Sequence, residues 1–305
     1  MLIEFNYKLS QLYYVRAAMV ALPTLLPDTH DVPWVEAFLT ASKAVRSDYL
    51  GKYGALTLAQ GARGQAHEKL HDACVSAHAS MRSCYRKDSN CLNALDKVPV
   101  QDQSLAETLE RGQALGSCWA SLPHPPGWAT PFKVGPLDKA AFDLLVSGLE
   151  SAHKAVTDAD QPFQLAEGDF RKQKDVMGDF VYAALQQGRA QFAEGTPERN
   201  VLDAIPTAPA TQLPGKAQVA TAESQGAGGA HLAFGADSAT SFEVWQKGPA
   251  DAEFRQVADV ILPGEYAATG LPAGNHQFKI VPLNSRGEGP ASDVVTIAVA
   301  AAAAA

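Results

Sequence analysis

The chain is expected to be multidomain: an all-α helical bundle built from a tandem-duplicated three-helix unit, followed by an all-β sandwich. Three observations predict this. Residues 1–206 place apolar side chains at helical spacing. Residues 207–300 alternate apolar and polar side chains in short runs cut by Gly and Pro. Short matches also recur through the first part at nearly constant distance. LAQG (58–61) matches LAEG (165–168), and LDKVP (95–99) matches LDAIP (202–206), both at an offset of 107 since 165 − 58 = 202 − 95. AF (37–38) and AF (141–142) lie 104 apart, and ALP (21–23) and SLP (121–123) lie 100 apart. A period of this length is beyond solenoid repeats and indicates a duplicated domain.

The first copy, 1–99, opens with a short helix over about 8–22 and a turn, LPTLLPDTHDVP (22–33). Trp34, Phe38, Ala41, Val45 and Tyr49 then make one helical stripe, and a second long helix is expected over about 56–87. The second copy, 100–206, repeats the plan. A short helix over about 103–120 leads to the turn SLPHPPGWATPFKVGP (121–136). Leu137, Ala141, Leu145, Leu149, Ala152 and Val156 form one stripe, and Phe163, Phe170, Met177, Val181 and Ala184 the facing one. Two hairpins of long helices would bury their stripes as a four-helix bundle flanked by two shorter helices. Thr196-Pro197-Glu198 starts a last short helix, with a cap hydroxyl and a proline in the first turn. TAPATQLPG (207–215) reads as a stiff Pro-rich linker, and 301–305 as an alanine tail.

The strands of the last part are AHLAFG (230–235), SFEVWQ (241–246), AEFRQVADV (252–260), a run around Phe278 and Ile280, and VVTIAV (294–299), with GAGG (226–229) as a turn. Pro209 and Pro214 precede the first strand. Tyr266 and Leu271 stand before a turn, and N-S-R-G-E-G-P-A-S (284–292) follows the Phe278 strand. On these residues the 207–300 segment resembles a fibronectin type III domain, which implies a two-sheet sandwich used in interactions. Two positions depart from the family. The early core Trp is absent, leaving Leu232 or Phe234 to fill its place, and the corner tyrosine is replaced by His276, so the corner hydrogen bond is expected to be altered or lost. The whole chain also resembles bacterial proteins of unassigned function that join a helical bundle to such a domain.

Composition bounds function. The net charge of −8 is spread along the 305 residues, with no basic patch, so nucleic acid is not an expected partner. No run of about eighteen uncharged apolar residues exists, so no membrane span is expected. The first twenty-odd residues scatter Glu4, Lys8 and Arg16 and lack the order of a signal peptide. An extracellular or cell-surface place is favoured on the sandwich, with the cytoplasm as the alternative.

HEKLH (67–71) fits the H-E-x-x-H pattern, in which His67 and His71, one turn apart, share a zinc ion and Glu68 activates water. Charged Lys69 and Asp72, and the lack of a third ligand at the spacing of known zinc peptidases, favour a polar helix face instead. Cys84 and Cys91 could close a small disulfide and Cys74 could meet Cys118; four reduced apolar residues is the equal alternative. Trp119, Trp128 and Trp245 are candidate interaction aromatics, against plain packing. No catalytic constellation is assigned and no cofactor is expected. The expected function is a non-enzymatic structural or interaction protein, self-associating into an oligomer or filament. The alternatives are a carbohydrate- or surface-binding module and a zinc hydrolase centred on 67–71.

Overall fold

The computed structural model describes residues 1–101, 104–123, 132–226, 228–261 and 264–300. Helices α1 (Leu2–Ala21), α2 (Val32–Cys84), α3 (Ser89–Leu95), α4 (Leu105–Ser121), α5 (Lys139–Gln191) and α6 (Pro197–Asp203) come first. Strands β1 (Gln218–Ser224), β2 (Ala230–Gly235), β3 (Ser241–Lys247), β4 (Arg255–Ile261), β5 (Gly264–Ala268), β6 (Gly274–Asn284), β7 (Gly287–Glu288) and β8 (Val295–Val299) follow.

The duplication reappears in the element boundaries. α2 and α5 start 139 − 32 = 107 residues apart and end 191 − 84 = 107 apart. α3 and α6 each have 7 residues and start 197 − 89 = 108 apart. The buried positions follow the same offset: Val35 and Phe142, Leu70 and Met177, Cys74 and Val181, Ala77 and Ala184, Leu95 and Leu202, Val98 and Ile205.

The hairpin expected inside each copy is not formed. α2 and α5 are each one unbroken helix of 53 residues, about 80 Å at the usual rise. Gly51 and Gly54 fall in the gap between the two expected helices, but a helical glycine costs only about 1 kcal/mol against alanine. Across that stretch Tyr49 and Tyr53 keep one-turn spacing and both lie against Phe163, at 5.8 and 5.9 Å between ring centroids. Pro162 lies inside α5. An interior proline costs about 3 kcal/mol, which the aromatic packing of the next residue helps to offset.

The compact units do not follow the copies. One comprises 1–46 with 169–305, the other 47–168, so α2 and α5 each contribute to both. In the first unit Phe5 of α1 stacks on Phe170 of α5, with centroids 4.0 Å apart. Trp34 lies face to face with His30 at 3.6 Å and against Phe180 at 5.1 Å. Gln173 donates to the buried Ser42 hydroxyl at 2.8 Å. Gly188 lets α6 approach: a Cβ there would stand 2.3 Å from Leu202 Cδ1. In the second unit Leu70, Cys74, Ala77 and Met81 of α2 form a core with Leu115, Cys118 and Trp119 of α4 and with Phe142 and Leu149 of α5. α4 begins with a capping box, in which Ser104 accepts from the Glu107 amide and Glu107 accepts from the Ser104 amide.

The sandwich belongs to the first unit. Its sheets have the orders β1-β2-β5 and β4-β3-β6-β7, with β8 also on β6, and all pairings are antiparallel. Alternate residues of β6, among them Phe278 and Ile280, point into the core, and Leu232 and Phe234 supply the apolar bulk opposite. The 207–215 stretch is not a free linker. The Ala210 amide donates to Ser285 Oγ at 2.7 Å, and Asn284 Nδ2 donates to the Gln212 carbonyl at 2.8 Å. Just before it, Gln11 Nε2 of α1 donates to the Pro206 carbonyl at 2.7 Å.

Candidate functional site

His67 and His71 lie on α2, half-buried, with Glu68 exposed. His67 Nε2 is 2.8 Å from Thr108 Oγ1 of α4. At the offset-107 position of copy two stands Lys174, whose ammonium pairs with Glu4 of α1 at 3.2 Å. In both copies, then, this position ties the long helix to the short helix that opens a copy. Among the described residues no group of three His, Cys, Asp or Glu side chains is placed to hold a metal ion. His67, the first residue of the H-E-x-x-H run, is thus engaged with α4.

All four cysteines are free thiols, so the Cys84–Cys91 bridge is not formed. Burial, with the Asp88 carboxylate beside it, pushes the Cys91 thiol up to about 11, and burial also raises Cys118. Neither has the low pKa of a reactive thiol.

The candidate aromatics divide. Trp119 is only 8% exposed and packs against Phe132 and Phe142, so it is a core residue and not an interaction aromatic. Trp128 lies outside the described residues. Trp245 is half-buried on the outer face of β3. Its Nε1 donates to Glu243 Oε2 at 3.0 Å, and Lys279 Nζ sits 5.1 Å from its ring centroid. The ammonium lies over one face of the ring.

His276 keeps the corner it was expected to alter. It is 1% exposed. Its Nε2 is 2.9 Å from the Pro272 carbonyl, four residues upstream, and its Nδ1 is 2.8 Å from Gln246 Nε2. The pair of contacts fixes the tautomer: Nε2–H donates to Pro272 and Nδ1 accepts from the Gln246 amide. The hydrogen bond to upstream backbone that a corner tyrosine makes is here made by an imidazole.

A cavity that the sequence did not suggest lies where α1 and the first turns of α2 meet the sandwich. It measures roughly 200 Å³. Asn6, Ser10 and Tyr13 face it from α1, Lys43 and Arg46 from α2, Glu243 from β3, and Gln256 and Asp259 from β4. Spacings of three and four residues put each helix's contributors on one face. Lys43 Nζ pairs with Asp259 and lies 5.4 Å from the Tyr13 ring centroid. Gln256 Nε2 donates to Asp259 Oδ1 at 2.8 Å. Ser10 donates to Thr240 Oγ1 at 3.0 Å and so ties α1 to the sandwich. Three buried polar atoms around the cavity have no hydrogen-bond partner: Asn6 Oδ1, Tyr13 Oη and Arg46 Nε. The Tyr13 hydroxyl faces Asp259 without a hydrogen bond of normal geometry; burial, then the Asp259 and Glu243 charges, push its pKa far up. Burial also raises Glu243, opposed by its bond from Trp245. Single-sequence reading misses this site because its residues come from three distant segments with no shared motif.

On the helices, two exposed leucines occupy equivalent places in the repeat. Leu58 is 77% and Leu165 67% exposed. Three residues on stand Gly61 and Gly168, and a Cβ at either would meet nothing within 4 Å. No helix among the described residues is long and apolar enough to cross a membrane.

No protein-family model matches the chain, and no curated protein matches it. Solved structures similar to its C-terminal third are fibronectin type III domains. The FN5 domain of Drosophila Lar is 19% identical, with 29% of this chain and 99% of that one covered, at a TM-score of 0.26. The sixth such domain of human fibronectin type III domain containing protein 3 is 19% identical, with 31% and 93% covered, at 0.27. A Fn3-like protein from Clostridium thermocellum is 18% identical, with 32% and 100% covered, at 0.25. The strand order and the residues of 284–292 make the C-terminal third a fibronectin type III-like sandwich behind a helical region.

Proposed function

We propose that the protein is a non-enzymatic structural and interaction protein, a self-associating subunit of an assembly at the cell surface or outside the cell. The observation that carries this reading is the exposed leucine and open glycine at Leu58/Gly61 and again at Leu165/Gly168. Leucine at i and glycine at i+3 share a helix face, one projecting and the other leaving backbone bare. A site with both a knob and a gap is complementary to another copy of itself. Because the chain carries that site twice, it is bivalent toward its own copies and can extend beyond a dimer. Gly51, Gly54 and Gly64 add to the case: each weakens α2 by about 1 kcal/mol against alanine, and beyond the adjoining backbone of α2 nothing among the described residues comes within 4 Å of a Cβ built there. The interaction-type sandwich supports the extracellular or surface placement.

Light scattering across a concentration series tests this. The expected mass exceeds the 32.3 kDa of one chain and rises with concentration. Leu58→Glu or Leu165→Glu alone should cap assembly at dimers, and the double variant should be monomeric. Both positions are exposed, so the fold should change in stability by less than about 0.5 kcal/mol. A native chain that stays strictly monomeric at high concentration refutes the reading.

A further inference from the structure

We propose that the cavity between α1, α2 and the β3–β4 face is a binding site for a small zwitterion of the α-amino-acid class. The inference stands apart from self-association, which uses other residues.

The site is built and not merely open. Asn6 lines the cavity and is 8% exposed, and its buried Oδ1 has no hydrogen-bond partner. A buried polar atom left unmatched costs on the order of 1–3 kcal/mol. Three unmatched atoms around one space of roughly 200 Å³ mark a place where partners are missing. They also have a pattern. Arg46 Nε–H is a donor, the Tyr13 hydroxyl is held protonated and can donate, and Asn6 Oδ1 is an acceptor. Two donors, one of them on a cation, suit a carboxylate. The Asn6 acceptor and the Glu243 carboxylate suit an ammonium group.

The charges lining the cavity balance, Lys43 and Arg46 against Glu243 and Asp259. Lys43 and Asp259 already neutralise each other. What is left for a ligand is one cation and one carboxylate. A simple anion would meet Glu243, a simple cation would meet Arg46, and a neutral polyol would leave both charges unanswered. A net-neutral ligand with both signs answers both. The volume lies below the roughly 300–1,000 Å³ of drug-sized sites, which restricts the ligand to a small molecule.

Isothermal titration of the full-length chain with each of the common amino acids tests the proposal, with acetate, methylammonium, glycerol and glucose as separate arms. At least one amino acid should bind and raise the melting temperature in proportion to its concentration. Acetate and methylammonium should bind more weakly than that amino acid. Tyr13→Phe should weaken binding at least about tenfold, the loss of one hydrogen bond to a charged group. It should change the ligand-free melting temperature little, because the hydroxyl makes no hydrogen bond of normal geometry to the Asp259 it faces. Arg46→Met should weaken binding further. No amino acid binding at about 10 mM, where a dissociation constant of 1 mM would already stabilise the fold by about 1.4 kcal/mol, overturns the proposal. So does binding that Tyr13→Phe does not weaken. Binding of glycerol or glucose in preference to every amino acid overturns the assigned class.

Discussion

Replacing His276 with alanine is expected to destabilise the sandwich by about 3–4 kcal/mol. The imidazole is fully buried and bridges the Gln246 side-chain amide and the Pro272 carbonyl. Its removal leaves a cavity beside Phe278, 6.5 Å away between ring centroids. It also strands the Gln246 amide, itself only 4% exposed. Each unmatched polar group costs on the order of 1–3 kcal/mol, and the lost volume adds to that. His276→Tyr should recover part of the loss, because a phenol can renew the bond to upstream backbone while leaving Gln246 without its acceptor. Urea denaturation followed by Trp245 fluorescence reads both variants. An alanine variant within 1 kcal/mol of the native protein would show that the corner bond does not hold the sandwich.

A second large effect is expected in the helices. Phe170→Ala should cost about 3–5 kcal/mol. Phe170 is fully buried in α5 and stacked on Phe5 of α1, which is also fully buried. Truncation leaves a void that two packed helices cannot close without shifting backbone, and a dry void loses its dispersion contacts outright. The neighbouring Leu165→Glu, five residues away but exposed, should leave stability nearly unchanged. Thermal unfolding by circular dichroism compares the two. Equal losses at both positions would mean that burial does not set the energetics of α5.

Much of this architecture was legible from residues. The recurrence of LDKVP and LDAIP pointed to the duplication, and Thr196-Pro197-Glu198 to α6, while α3, which ends in the same buried leucine, was not expected. The N-S-R-G-E-G-P-A-S run marked the end of β6, since Asn284 must bridge two backbone carbonyls and Gly287 takes a positive φ of 140°. What was misread has physical causes. The expected breaks, between Tyr49 and about 56 and between Val156 and Phe163, fall on Gly51, Gly54 and Pro162, yet each of these costs only a few kcal/mol at most. Packing around Phe163 outweighs that cost, and tertiary packing has no local signature. The histidine pair, read from Lys69 and Asp72 as more in keeping with a polar helix face than with a zinc site, has His67 against Thr108 of α4, a contact that spacing alone does not reveal. Trp119 looked like a surface anchor because it borders a proline-rich turn, while its ring turns inward onto Phe142. The junction cavity left no trace in the order of residues, because Asn6, Arg46 and Glu243 meet only after α1, α2 and β3 have packed.

The account rests on two copies of one plan, each with a single long helix that carries an exposed leucine at its midpoint. Native-state amide hydrogen exchange, resolved by residue, tests this most directly, because amides within a continuous helix open only with the helix around them. The account predicts slow exchange through every amide of 50–57 in α2 and of the equivalent 157–164 in α5, where only Pro162 has no amide to read. Protection should also follow the same profile in both helices when shifted by 107 residues. Rapid exchange confined to those two stretches would mean a turn in each copy, two hairpins in place of two long helices, and would contradict it.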